Sequence, residues 1–229
     1  MAEAVKTGKR TRRADKTRAT RQRIIDAATG LFVERGYTAT TIEAIADAAD
    51  VAVETVYARF TSKTNLLTAV KDAAVTEDGQ APLNDQHPVL AALAAEPDQH
   101  RQVEIAVAHS CRTLARVAPV YSLLREAAGA DLTLRAYLAD ETHRRRQFQQ
   151  DMVALVRSRG PLRPGLSADQ AAETYSALAS PDLYLLVTTY HGWTADQHQT
   201  WLTDCLARLL LPDTGHTNSR KNPNSHDDR

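Results

Sequence analysis

Between Thr40 and Lys63 the chain sets out hydroxyls, a phenol and cations at spacings that suit contact with a polyanion. Thr40 and Thr41 open one helical pattern, where hydroxyl and backbone N–H donors join the positive end of the helix dipole and can receive a phosphate. In the next pattern Val56 and Phe60 fall four apart on an inner face, leaving Val53, Glu54, Thr55, Tyr57, Ala58 and Arg59 outward. A helix of this width fits the major groove of double-stranded DNA, where outward side chains meet base edges. Tyr57 suits a phosphate as a neutral donor and Lys63 as a cation. The plainly structural alternatives are Thr40 as a helix cap only and Tyr57 packed on its neighbours. Glu54 is repelled by phosphates unless it accepts from a cytosine amino group.

A second group of residues could take a small molecule. On the stripe running from residue 131 to 159, Leu134, Leu138, Phe148, Met152 and Val156 share a face with Glu141 and Arg145 at its centre. Those two stand four apart, so they can pair with each other. The alternatives are a structural ion pair, a contact to the linker, or the polar lining of a pocket. Ser110, Tyr121, Tyr137 and Tyr175 could line such a cavity with Phe148 and Met152, although a stripe of this kind also serves as plain core. Catalytic patterns are missing. Gly160 and Gly165 have the glycine spacing of a phosphate loop, but no Lys follows and two prolines remove N–H donors. The eight histidines are scattered, without a metal-binding or C-x-x-C pattern. The expectation is no metal, no cofactor and no enzymatic activity.

The elements that hold these residues read as helices throughout. Ile24, Ile25, Ala27, Ala28, Leu31 and Phe32 mark a first helix, with Gly36 where a left-handed cap belongs. Thr40 and Glu43 have the spacing of a capping box for a second helix through Ile42, Ile45 and Ala49. A turn at Ala48–Val51 separates it from the third helix, which makes a helix-turn-helix. Thr61-Ser62-Lys63 starts a fourth. Pro82, Pro88 and Pro97 punctuate a connector with a short apolar helix between the last two. A helix from about 98 to 117 is followed by Pro119, expected to open a separate short helix. Asp131, Ser167, Ser180 and Thr194 cap later helices, and Pro212 stops the last. The predicted fold is all-α: an N-terminal three-helix helix-turn-helix domain and a larger C-terminal helical domain. The expected boundaries are a disordered basic arm at 1–18, the DNA-binding domain at 19–71, a regulatory and dimerisation domain at 72–212, and a disordered tail at 213–229.

Composition agrees with that division. The 229 residues are 43% hydrophobic and 24% charged, which supports a real core and excludes a disordered or collagen-like chain. Net charge is zero, yet residues 1–71 hold thirteen Lys and Arg against eight Asp and Glu. Nine of the basic residues, among them Arg18 and Arg21, lie within residues 1–23. A basic arm beside an acidic body points to a polyanion partner at the N-terminal end; a solubilising tail is the alternative. No apolar run approaches the roughly 18 residues of a membrane span. Cys111 and Cys205 are too few for a disulfide framework and read as reduced core residues, so a cytoplasmic protein is expected.

Residues 20–67 resemble the DNA-binding domain of tetracycline-repressor-type (TetR family) transcriptional regulators. The matching residues are Arg35-Gly36-Tyr37, Thr40-Thr41-Ile42, Ile45-Ala46, Ala49, Val51, Thr55-Val56-Tyr57, Phe60, Ser62-Lys63 and Leu66-Leu67. The resemblance implies that Thr55, Tyr57 and Lys63 stand where DNA is touched, with positions 53, 54 and 58 tuning the sequence read. It also implies a homodimer in which the last two helices of each subunit form a four-helix bundle. The sequence supports this independently. Trp201, Leu202, Cys205, Leu206, Leu209 and Leu210 make a broad apolar stripe, and Leu183, Leu185, Leu186 and Val187 are apolar on most sides. Closing the monomer core is the alternative use of both. Asp50 replaces a usual Gly, Ala52 a usual Ser or Thr cap, Arg59 an aromatic or His, and Glu54 a frequent Gly. The expected function is a ligand-responsive repressor that binds a palindromic operator as a dimer and answers to a small-molecule effector. A DNA-binding protein without sequence preference is the second reading, and an all-α enzyme around Glu141 and Arg145 the third.

Overall fold

Ile24, Ile25, Ala28, Leu31 and Phe32 recur at helical spacing, and all five are buried along the first helix, α1 (Ala2–Ala39). The computed structural model describes the backbone over residues 2–76 and 87–213, and side chains from residue 15 onward. Pro82 and the tail from residue 214 lie outside the described residues. The arm, expected without regular structure, instead continues α1 back to Ala2. Its Ala, Lys and Arg are good helix formers, no proline interrupts, and extending an existing helix avoids the cost of nucleation. Near the other end Gly36 has φ 81° and ψ 164°, a region open essentially to glycine alone, and there the regular helix breaks.

Three further helices complete the N-terminal unit: α2 (Ile42–Ala48), α3 (Val53–Phe60) and α4 (Lys63–Val75). The remainder comprises α5 (Pro88–Ala95), α6 (Gln99–Ala128), α7 (Leu132–Arg159), α8 (Ala168–Leu178), α9 (Pro181–Leu185) and α10 (Ala195–Leu210). A π-helical turn, Leu186–Tyr190, follows α9. Every regular element among the described residues is helical, so the all-α expectation holds. Asp131, Ser167, Ser180 and Thr194 each cap the expected helix, with full capping boxes at Ser167 and Thr194. Pro119 does not open a new helix; it lies inside α6. An internal proline loses a hydrogen bond, but burial of Val117, Ala118, Val120 and Leu124 around it holds both halves in one rod.

That rod joins two hydrophobic cores. In the first, Ile24, Phe32, Ile45, Val56, Phe60, Leu66 and Leu67 pack with Val120, Leu124 and Leu134 from α6 and α7. In the second, Leu93, Val107, Leu114, Phe148, Met152, Tyr175, Leu202 and Leu206 come from α5, α6, α7, α8 and α10. Helix α4 runs past the expected boundary at residue 71 and is tied to the larger domain by polar contacts. Thr64 hydrogen-bonds Asp131 at 3.0 Å, Tyr137 donates to Asp72 at 2.6 Å, and Arg116 donates to the Ala74 carbonyl at 3.0 Å. Lys71 forms a buried ion pair with Glu141. A displacement of α7 is therefore felt by α4.

Candidate nucleic-acid interface

Two side chains set the orientation of α3. Val56 and Phe60 are 1% and 5% exposed and enter the first core, which turns Glu54, Tyr57, Ala58 and Arg59 to the outside. Thr55 is half-buried. Val53, expected to face outward, instead rests partly on the core, because the first residue of so short a helix sits against the preceding turn. In that turn Asp50 takes φ 51°, which Asp tolerates better than most residues, and its carbonyl accepts from Arg23 at 3.4 Å. Ala52 leaves the N-terminus of α3 without a side-chain cap. Thr61 closes α3 at φ 64°, strained for a β-branched residue, while its N–H still donates to the Tyr57 carbonyl at 2.8 Å.

The start of α2 differs from the expected capping box. Thr41, exposed, is the cap and accepts from the Ala44 N–H at 3.2 Å. The register is therefore one residue later, and Glu43 no longer stands at the third helical position. Thr40 is 1% exposed, with its hydroxyl directed at the carbonyls of Leu31 and Gly36 at 3.0 and 2.8 Å. Its hydroxyl fastens the end of α1 and is closed to a phosphate. Thr41 is the residue that keeps an open position at the helix N-terminus.

Arg21 and Lys63 border this face, with Arg18 three residues before Arg21 on α1. Arg18 is exposed, and the exposed Arg21 lies over the Phe60 ring at 5.3 Å. Lys63 lies over the Tyr37 ring at 4.4 Å and donates to the Thr38 carbonyl at 3.4 Å. Partial burial lowers the Lys63 pKa from its ordinary value. Tyr37 in turn meets Thr64 through its hydroxyl at 3.3 Å, so Lys63 and Tyr37 form one ledge beside α3. Reading outward positions from the sequence missed Arg23 and Tyr37. Neither is on α3; their part is to hold the turn and the lysine.

The residues expected around a ligand separate into two groups. Ser110 and Tyr175 share a hydrogen bond of 2.8 Å, and Tyr175 reaches the Met152 sulfur at 3.8 Å. Phe148 packs edge-on against His87, with His109 beside both. Burial pushes the Tyr175 phenol well above its usual range. Tyr137 and Glu141 instead face α4. Of the alternatives for Glu141 and Arg145, the mutual ion pair does not form: Glu141 binds Lys71 and Arg144, and Nε and Nη1 of Arg145 have no acceptor. Lys71 went unread, although it stands four residues after Leu67 on the buried face of α4.

The expected dimer residues also divide. Leu202, Leu206 and Val187 are 0%, 1% and 6% exposed and belong to the monomer's own interior. Leu183, Trp201 and Cys205 are half-buried, with Trp201 packed edge-on against Trp193. Leu186, Leu209 and, beyond the expected set, Tyr190 are exposed at 45%, 40% and 79%. The outward apolar face is narrower than the sequence stripe because one side of α10 closes the second core.

A short helix held by its neighbours with a polar face outward, a basic α1 beside it and a larger helical body behind define a helix-turn-helix DNA-binding protein. Residues 24–70 match the family described as bacterial regulatory proteins, tetR family. The chain is similar in structure to NalD, the secondary repressor of the MexAB-OprM multidrug efflux pump in Pseudomonas aeruginosa. Identity there is 20%, with 87% of this chain and 99% of that one covered, at a TM-score of 0.62. SmeT of Stenotrophomonas maltophilia, in its complex with triclosan, aligns at 19% identity over 86% of this chain and 93% of its own, TM-score 0.64. A Mesorhizobium loti chain assigned to the TetR family aligns at 19% identity over 85% and 98%, TM-score 0.63. No curated protein matches the chain. The helix-turn-helix domain is thus of the TetR family, and the whole chain has the fold of that family's transcriptional regulators.

Proposed function

We propose that the chain is a cytoplasmic, ligand-responsive repressor that binds a palindromic operator as a homodimer and has no catalytic activity of its own. The observation that carries this reading is the division of α3: Val56 and Phe60 fix it to the core, while Glu54, Tyr57, Ala58 and Arg59 project outward. Tyr57, Lys63, Thr41 and the cations of α1 supply phosphate contacts, which set register, and positions 54, 55 and 58 supply base contacts, with Val53 at the edge. NalD and SmeT, repressors of efflux pumps by description, support the repressor role, and the triclosan complex of SmeT supports a small-molecule effector.

Leu186, Tyr190 and Leu209 are the apolar surface offered to a second subunit, and two-fold pairing gives the two reading helices that a palindrome demands. Release follows when a ligand binds better to the subunit arrangement that misplaces those helices; equal affinity for both arrangements would shift nothing. Titration of a selected operator at several salt concentrations tests the reading. Affinity is expected to fall steeply with salt, and replacing Lys63 to reduce the logarithmic slope by about one. A salt-independent affinity would contradict it.

A further inference from the structure

Among the described residues, one cation on α7 has buried donor atoms without an acceptor. Lys71 and Arg144 both bind Glu141, and Arg144 also lies 2.6 Å from Asp140. Arg146 meets Glu173 at 2.5 Å, and Arg125 holds Asp182. Arg145, on the same stretch of α7, has Nε and Nη1 shut off from solvent with no acceptor. Gln102, Thr113, Gln149 and His198 carry the other such atoms among the described residues. None of those four is charged at neutral pH, since burial lowers the His198 pKa further below neutrality. A guanidinium cannot give up its proton, so its burial calls for an anion. The nearby carboxylates are engaged: Glu141, one turn earlier, serves two cations, and Asp182 is taken by Arg125.

We propose that Arg145 anchors a small-molecule site in the larger domain whose ligand is an organic monocarboxylate with an apolar body. A single negative charge balances the single positive charge of Arg145, whereas a phosphate dianion would leave net charge beside the same buried nitrogens. The apolar body follows from the surroundings of Arg145 on α7, which stands between Leu138, packed on the first core, and Phe148 and Met152, packed in the second. Asp182 on α9 is the carboxylate that acts electrostatically to favour the Arg145 charge, while it is also bound by Arg125. A carboxylate on Arg145 lies one turn from Glu141, the residue paired with Lys71 on α4. Its charge therefore acts on a contact that ties the reading domain to the larger one.

The site stands on Arg145 itself, and only its consequence, DNA release, rests on the ligand-responsive reading. The test uses the full chain with the saturated monocarboxylates from acetate to dodecanoate and with benzoate, each beside its neutral amide. Calorimetry gives Kd, thermal melts give Tm, and fluorescence anisotropy follows a labelled operator duplex in the same samples. At least one carboxylate is expected to bind about tenfold or more tightly than its amide. Arg145→Leu is expected to lose that preference while melting at the same or a higher temperature without ligand, because a buried unmatched charge has been removed. Arg145→Lys, which keeps the charge should the leucine variant fail to fold, is expected to retain a weaker preference. The site is overturned if no carboxylate outbinds its amide, or if Arg145→Leu keeps the preference. Carboxylate binding with unchanged operator affinity supports the site and contradicts its effector role. Operator release by neutral compounds that is untouched in Arg145→Leu overturns the site and leaves the ligand-responsive reading standing.

Discussion

Tyr57 projects from α3 at 47% exposure, and among the described residues its hydroxyl has no hydrogen-bond partner. Tyr57→Phe is expected to weaken operator binding roughly fivefold, about 1 kcal/mol, equally across operator variants, with Tm unchanged; anisotropy and thermal melts check both. Lys63→Ala should behave differently, since Lys63 also packs over Tyr37. It is expected to lower both affinity and Tm. His198 yields a pH prediction. Its folded pKa lies below the ordinary 6.5, so below pH 6.5 the unfolded chain binds a proton that the native state refuses. Stability therefore falls as pH drops through that range and is unaffected by this group above it. Urea melts across pH are expected to show a shallower acid slope in His198→Leu, and an identical slope would contradict this. Glu54, Tyr57, Ala58 and Arg59 were legible as outward because Val56 and Phe60 mark the inner face, whereas the half-buried Val53 and Thr55 were not. Thr40 was misread because two adjacent threonines offer the same cap, and only the packing of Leu31 and Gly36 decides which is buried.

At the scale of elements, α3 has extended geometry at its N-cap, φ −69° and ψ 148°, but Ala52 provides no acceptor there. Ala52→Ser supplies one, and chemical denaturation is expected to show a gain of about 1 kcal/mol. An unchanged or lower stability would show that the N-terminus of α3 already satisfies its N–H groups. Helix starts elsewhere were readable because a cap is a local device: Ser62, Asp131, Ser167, Ser180 and Thr194 each accept from an N–H two or three residues on. Pro119 was not readable in the same way. A proline at a first turn and a proline inside a helix share one local signature, and burial of α6 against both cores decides between them.

For the whole molecule, the division into two cores could not be read from periodicity, since the contacts that make it lie far apart in sequence. Lys71 and Glu141 are an example: each is an odd charge in an apolar stripe until the two helices meet. The outward apolar face of α9 and α10 is narrower than the sequence stripe for a related reason, because a stripe does not say which of its sides closes the monomer. Leu186, Tyr190 and Leu209 remain outward, so Leu186→Glu combined with Leu209→Glu is expected to leave helicity intact, give a monomer in sedimentation, and abolish tight operator binding. A double variant that stays dimeric would move the interface elsewhere. The measurement that bears most directly on the central claim is selection of bound duplexes from a random pool by the full chain, followed by sequencing. An enriched palindrome with half-sites about one helical turn apart, its preferred bases altered in Glu54→Ala combined with Thr55→Ala, is the expected result. A pool that emerges with no preferred sequence, or enrichment unaltered by those two substitutions, would contradict the assignment of α3 as the element that reads DNA.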